Sequence, residues 1–101
     1  MTQPRFYVGQ IVHHLRFGYR GVVVDVDSSY QGTTSWYEQV ARSRPPKDAP
    51  WYRVLVDGAE NETYVAERHL EPDRVGKPIE HPAIDTIFTR YNGECYVRPV
   101  H

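Results

Sequence analysis

A single cysteine, Cys95, stands among 101 residues. One thiol excludes an intrachain disulfide and any zinc site built on paired cysteines. Long apolar runs are missing as well, and nothing approaches the ~20 consecutive apolar residues that cross a bilayer. The opening MTQPRF lacks the apolar stretch of an export signal, so a cytoplasmic location and no membrane partner are expected. Asn61-Glu-Thr63 is accordingly a chance match to a glycosylation pattern. Neither sign of charge dominates: twelve Lys and Arg face thirteen Asp and Glu, a net of −1. Residues 1–50 carry six basic and four acidic groups, and residues 51–101 carry six and nine. That is not the clearly basic balance usual for nucleic-acid binding, and any DNA contact must come from local clustering.

Catalytic signatures are also wanting, with no GxSxG, Walker loop or HExxH. His13 and His14 are adjacent, and adjacent strand residues face opposite ways, so they do not form a metal pair. His81-Pro82 reads as a turn-fixing pair. Cys95 beside His81 or His101 is the one conceivable thiol nucleophile, and a lone cysteine is far more often a small hydrophobe. No enzymatic activity, catalytic residue, cofactor or metal is expected.

What the chain does have is aromatic side chains, 13% of the residues, and eight of them are tyrosines with a polar tip. Hydrophobic content of 40% and charged content of 25% are ordinary for a globular domain, and the length suits a single domain over residues 1–101. Gly9–Leu15 reads as a first strand with Ile11, His13 and Leu15 on one face, followed by a tight turn at Arg16-Phe17-Gly18. The stretch RGVVVDVD forms the second strand. Residues 28–50 make a long connection with a short helix in its middle, capped by Thr34 or Ser35, with Glu38 completing a capping box on Ser35. Pro45-Pro46 and Pro50 stop that helix. Trp51–Asp57 and Glu62–Ala66 form the next hairpin, Glu67–Pro72 a helical turn, and residues 73–82 a loop. Ile84–Phe88 suggests a helical turn and Asn92-Gly93 a type I′ hairpin. Short strands with glycine at the bends imply an all-β fold, a small barrel with one short helix in the long loop between the second and third strands.

Arg20 raises a question. Val22, Val24 and Val26 share one strand face, and Arg20 is in phase with them. A bulge at Gly21 would reverse the phase and turn Arg20 outward, where Asp25, Asp27 or another rim acid could pair with it. A guanidinium left unpaired in the core would cost several kcal/mol. Alternatively Arg20 is a fixed cation beside the Trp51 loop.

The most suggestive cluster for binding lies within residues 36–53. It contains the aromatics Trp36, Tyr37, Trp51 and Tyr52 and the cations Arg42, Arg44, Lys47 and Arg53. Aromatic faces beside cations can stack bases and hold phosphates, or grip an extended peptide. The competing reading is structural: the Trp-Tyr pairs fill the end of the barrel and the cations are solvated.

The strings GQIVHHLRFGYRGVVVDVD, SRPPKDAPWYRVLVDG, TYVAERHLEPD and IEHPAI resemble the HspQ heat-shock family, the YccV-like hemimethylated-DNA-binding domain, over about residues 6–88. The resemblance carries over Tyr19, Arg20, Gly21 and Asp25 from the first string. Pro45, Pro46, Lys47, Asp48, Pro50, Trp51 and Tyr52 come from the second, and Glu67, His81 and Pro82 from weaker motifs. It implies a Src-homology-3-like barrel without catalytic residues. It also implies a stress-linked accessory role, promoting degradation of denatured or regulatory proteins, the replication initiator among them, by an ATP-dependent protease. A preference for hemimethylated DNA is the alternative function it implies. Thr89–His101 departs from the family pattern. Exposed strand edges leave a homo-oligomer open as a further expectation.

Overall fold

A computed structural model describes residues 3–99 of the chain. Five strands build the main sheet: β1 (Ile11–His14), β2 (Arg20–Asp27), β3 (Trp51–Val56), β4 (Glu62–Ala66) and β5 (Leu70–Pro72). All neighbours are antiparallel, in the order β4-β3-β2-β1-β5. The expected mainly β chain is observed, with the helix α1 (Thr34–Val40) between β2 and β3. Hydrogen bonding does not close this sheet into a cylinder: β4 and β5 are its two edges, joined by the 3-10 turn Glu67–His69. A second helix, α2 (Ile84–Ile87), precedes a small hairpin of β6 (Arg90–Tyr91) and β7 (Tyr96–Val97). No helix among the described residues is long and apolar enough to cross a membrane.

Both faces of the sheet are covered. One core joins Val12, Val23, Tyr52, Val54, Val65 and Leu70 with Phe6 from the N-terminal segment. The other joins Ile11, Val22 and Leu55 with Ile79, Phe88 and Tyr96 from the C-terminal segment. Strands buried on both sides read as continuous apolar runs, which is why Val22 and Val23 are both fully buried although they point opposite ways. The expected single valine face is therefore incorrect. The bulge is not at Gly21 either. Gly21 pairs in register with Val12 and Val56, and the register shifts between Val23 and Asp25. Behind that shift Val26 packs with the core of Val23, while Val24 packs with that of Val22. Gly21 is needed for a different reason: a Cβ there would lie 2.4 Å from Val54 Cγ1 and 2.6 Å from the Leu55 carbonyl oxygen.

Arg20 thus keeps the phase of Val22, opposite His13, and enters the sheet face instead of turning outward. Its side chain is 15% exposed and is met by carboxylates from two loops, Asp73 at 2.8 Å and Asp57 at 3.1 Å. The Lys77 carbonyl accepts a further bond. Of the acids expected to pair with it, Asp25 lies nearest Arg53 and Asp27 accepts from the Tyr64 hydroxyl at 2.6 Å, so other acids take that place. Hydrogen bonds donated to Asp73 hold the Arg20 guanidinium charged, raising its pKa against the effect of burial. Burial pushes the Asp73 carboxyl up, but bonds from Arg20 and the Gly76 N–H outweigh it and hold the group below its ordinary value.

Smaller departures have local causes. Thr33, not Thr34 or Ser35, caps α1, its hydroxyl accepting from the Trp36 N–H at 3.1 Å. Glu38 is released from the capping box and meets Arg44 at 3.4 Å. The helical turn after β4 ends at His69, and Leu70–Pro72 become a strand because β1 offers them a ladder. Leu15 is exposed because β1 ends one residue earlier. Asn92-Gly93 opens a longer link, in which the Asn92 side chain accepts from the N–H groups of Glu94 and Cys95. A type I′ turn needs positive φ at both central residues, and here only Gly93 has it.

Candidate binding groove

A groove of about 570 Å³ runs along β4 between the β1–β2 turn and α1. Its size falls in the range of ordinary ligand sites. One wall is His14, Phe17, Tyr19 and His69, and the other is Trp36, Val40, Ala41 and Arg42. Residues from both faces of β4 reach it, Thr63 and Val65 from one and Tyr64 and Ala66 from the other, so it follows the edge of the sheet.

The first wall is fixed by His14. Its Nδ1 accepts from the N–H groups of Arg16 at 3.1 Å and Phe17 at 3.0 Å, tying the turn to the end of β1. Phe17 stacks on the ring at 4.7 Å between centroids and remains 74% exposed. An imidazole used as an acceptor in this way is neutral, and burial, then His69, His13 and Arg16, lower its pKa to about 4. Burial and the nearby Arg68 and Arg16 lower His69 as well, and its Nε2 lies 3.1 Å from Ser43 Oγ. Tyr19 crosses to β4 through a 2.7 Å bond with Thr63. On the far wall α1 presents Trp36 and the exposed Val40, resting on a third hydrophobic cluster of Tyr37, Ala41, Trp51 and Ala66. Burial and the bond to Asp27 raise the Tyr64 hydroxyl to about 12.

The nine residues singled out by sequence divide sharply. Trp51, Tyr52 and Tyr37 are buried. Trp51 donates its indole N–H to the Pro46 carbonyl, and Tyr37 donates to that of Pro45. Tyr52 donates to Glu67 at 2.5 Å and accepts from the backbone of Arg5 and Phe6, which pins the N-terminal segment over one core. Burial and Glu67 raise its pKa. Trp36, Arg42 and the buried Trp51 line the groove. Lys47 lies 4.3 Å over the Tyr37 ring, outside it. Arg44, with φ at 52°, pairs with Glu38, and Arg53 lies between Asp25 and Glu62 at 3.8 and 3.7 Å. Arg20 is at the opposite end of the β2–β3 hairpin from Trp51, since Asp27 is the residue that faces Trp51. It is not a cation beside that loop.

Sequence reasoning missed Phe17, Tyr64, Arg16, Arg68 and His69 as groove residues, and carried Tyr19 only as a position of the family pattern. The one available signal was an aromatic beside a glycine in a tight turn, where no core demands it. His81 is the turn-fixing residue expected, its Nδ1 accepting from the Ala83 N–H at 3.0 Å while Nε2 meets the Asn61 carbonyl. Cys95 is half-buried and bridges to Gln10, and the His101 weighed beside it lies outside the described residues, as does Val100 of the divergent tail. Among the described residues no group of three or more His, Cys, Asp or Glu is placed to hold a metal ion.

Residues 4–95 match the family model described as hemimethylated DNA-binding protein YccV like. That span takes in the whole five-stranded sheet, both groove walls and α2. The chain belongs to the YccV-like family of hemimethylated DNA-binding proteins.

Proposed function

We propose that this chain is a non-enzymatic, cytoplasmic DNA-binding module that prefers hemimethylated duplexes. One observation carries the reading beside the family: three cations gather at the groove without a carboxylate partner, while several of the acids are engaged by other cations. Arg16, Arg42 and Arg68 cluster at one end, and Lys47 lies over the Tyr37 ring outside the groove, none with a carboxylate partner among the described residues. Asp57 and Asp73 are held by Arg20, Asp25 and Glu62 by Arg53, and Glu38 by Arg44. A chain of net charge −1 can thereby present a locally positive surface to phosphates. Exposed rings such as Phe17 provide the apolar contact that a methyl group in the major groove requires.

Fluorescence anisotropy on unmethylated, hemimethylated and fully methylated duplexes of one sequence tests this. Affinity should be highest for the hemimethylated form and fall by about 0.9 log unit per phosphate contacted for each tenfold rise in salt. Arg42→Ala with Arg68→Ala should flatten that slope by about 2 units. Equal affinity for the three duplexes ends the methylation reading, and no binding at low salt ends the whole proposal.

The open edge of β4 favours a second reading, in which the protein is a stress-linked accessory of the HspQ type. It would deliver denatured or regulatory proteins, including the replication initiator, to an ATP-dependent protease. Adding the purified protein should shorten the half-life of a client in the presence of an AAA+ protease, and an unchanged half-life at saturation overturns it. The strand order and the 3-10 turn between β4 and β5 support a Src-homology-3-like barrel as the scaffold for either role. The same free edge supports self-association as the route to a homo-oligomer.

A further inference from the structure

We propose that β4 is a strand-addition site for an extended peptide with alternating apolar side chains and acidic residues at one end. The proposal deepens the second reading above by naming what the protein grips. Three features of the edge carry it.

The first is unsatisfied backbone. β3 pairs with one side of β4, and no backbone group of Glu62–Ala66 makes a hydrogen bond outside that ladder among the described residues. The register leaves the N–H and C=O groups of Glu62, Tyr64 and Ala66 pointing away from β3. Glu62 is exposed and Tyr64 half-buried, while Ala66 is buried, so the accessible template is the first part of the strand. The accessible residues Glu62–Tyr64 span about 10 Å, enough to seat about three residues of a partner. A DNA duplex presents no matching row of donors and acceptors at strand spacing, and an extended peptide does.

The second feature is the walls. The groove straddles the edge, with the exposed Phe17 on one side and the exposed Val40 on the other. Side chains of an added strand alternate between those two sides, so both apolar walls meet a residue of the peptide.

The third is charge polarity along the edge. Glu62 begins β4, engaged with Arg53, while Arg68 and His69 follow Ala66. Arg68 donates to the Ser43 carbonyl, which brings Arg42 to that same end, and Arg16 lines the groove there beside His69. An added antiparallel strand places its N-terminal end over these cations. Acidic residues belong at that end of the peptide.

The test uses a fluorescently labelled nonapeptide of alternating valine and threonine with two aspartates at its N-terminus, measured by anisotropy without protease. Saturable binding is expected, at least about tenfold weaker when lysines replace the aspartates, and Arg42→Glu should reverse that preference. Arg42 is exposed, so the variant does not disturb the core. The deciding measurement is N-methylation of alternate peptide residues. Methylating the set that faces β4 should weaken binding at least about tenfold, and methylating the other set should change it little. Two N-methylated sets that both bind like the parent overturn strand addition, as does no binding up to millimolar peptide. So does dimerisation of the protein that blocks the peptide, or a groove that takes only duplex DNA. Peptide binding without any effect on client half-life would sink the proteolysis reading alone. Accelerated turnover that is insensitive to blocking by either N-methylated set would sink strand addition alone.

Discussion

Arg20 is the residue on which the fold takes its largest electrostatic risk. Its guanidinium enters a sheet face at one end and is offset by two carboxylates, of which Asp73 is only 4% exposed. Removing the cation leaves Asp73 buried with only backbone donors, whereas keeping all three groups ties the loops at Asp57 and Asp73 to the end of β2. Arg20→Ala should therefore destabilise the protein by about 3–5 kcal/mol in urea unfolding. The Arg20→Ala, Asp73→Asn double variant should fall short of additivity by at least about 1 kcal/mol, because each change already breaks the same interaction. Additive costs would show that the pair is incidental to the fold. The loop also gains from Asp57, whose second oxygen accepts from the Glu80 N–H at 2.7 Å, so one arginine organises both ends of residues 73–80.

Elements were legible where local chemistry decides them and illegible where partners do. The runs Trp51–Val56 and Glu62–Ala66 announced themselves through β-branched and aromatic residues, and α1 through the prolines that stop it, although its cap lies before the two positions expected. The phase of β2 could not be read, since a strand covered on both faces carries no alternation and the bulge at Val24 leaves no signature. Nor could β5, which is a strand only because β1 lies beside it. For the groove, the cluster at residues 36–53 located Trp36 and Arg42, while its other tryptophan proved to be core. The opposite wall comes from residues 14–19 and 69, and only tertiary packing brings these together. Two substitutions test the local assignments. Thr33→Ala should cost about 1 kcal/mol by loss of the cap, with Ser35→Ala nearly neutral, and the reverse order would restore the cap first expected. Gly21→Ala should cost more, at least about 2 kcal/mol, because its methyl meets Val54 and the β3 backbone with no room to yield. A neutral Gly21→Ala would mean that β2 and β3 are less closely apposed than described.

At the scale of the whole molecule, two cores share one sheet, and the segments that cover them are pinned by a few side-chain hydrogen bonds each. Glu67 and Tyr52 hold the N-terminal segment, Tyr96 holds the backbone of Ile79, and His14 holds the turn that forms a groove wall. Of these, the His14 contact depends on protonation at mild pH. The folded ring, buried and near His69, His13 and Arg16, titrates near about 4, and the unfolded one at its ordinary 6.5. Between those values the unfolded chain binds a proton that the folded chain refuses. Stability from this group is complete above pH ~6.5 and declines as pH falls toward ~4, by on the order of 1–3 kcal/mol. Asp73 extends the loss below its ordinary 3.8, since its folded carboxyl stays ionised to lower pH and its contribution disappears as that group is protonated. Urea midpoints measured from pH 7 to pH 4.5 should therefore drop steadily, and His14→Gln, which keeps an acceptor but cannot titrate, should remove most of the drop. His69, lowered for similar reasons, accounts for the remainder. Because His14 clamps Arg16 and Phe17, the same acid range should also release the groove wall, seen as faster amide exchange at Arg16 and Phe17 before global unfolding. A His14→Gln protein as acid-sensitive as the parent, or a turn that stays protected until the whole sheet melts, would remove His14 as the clamp.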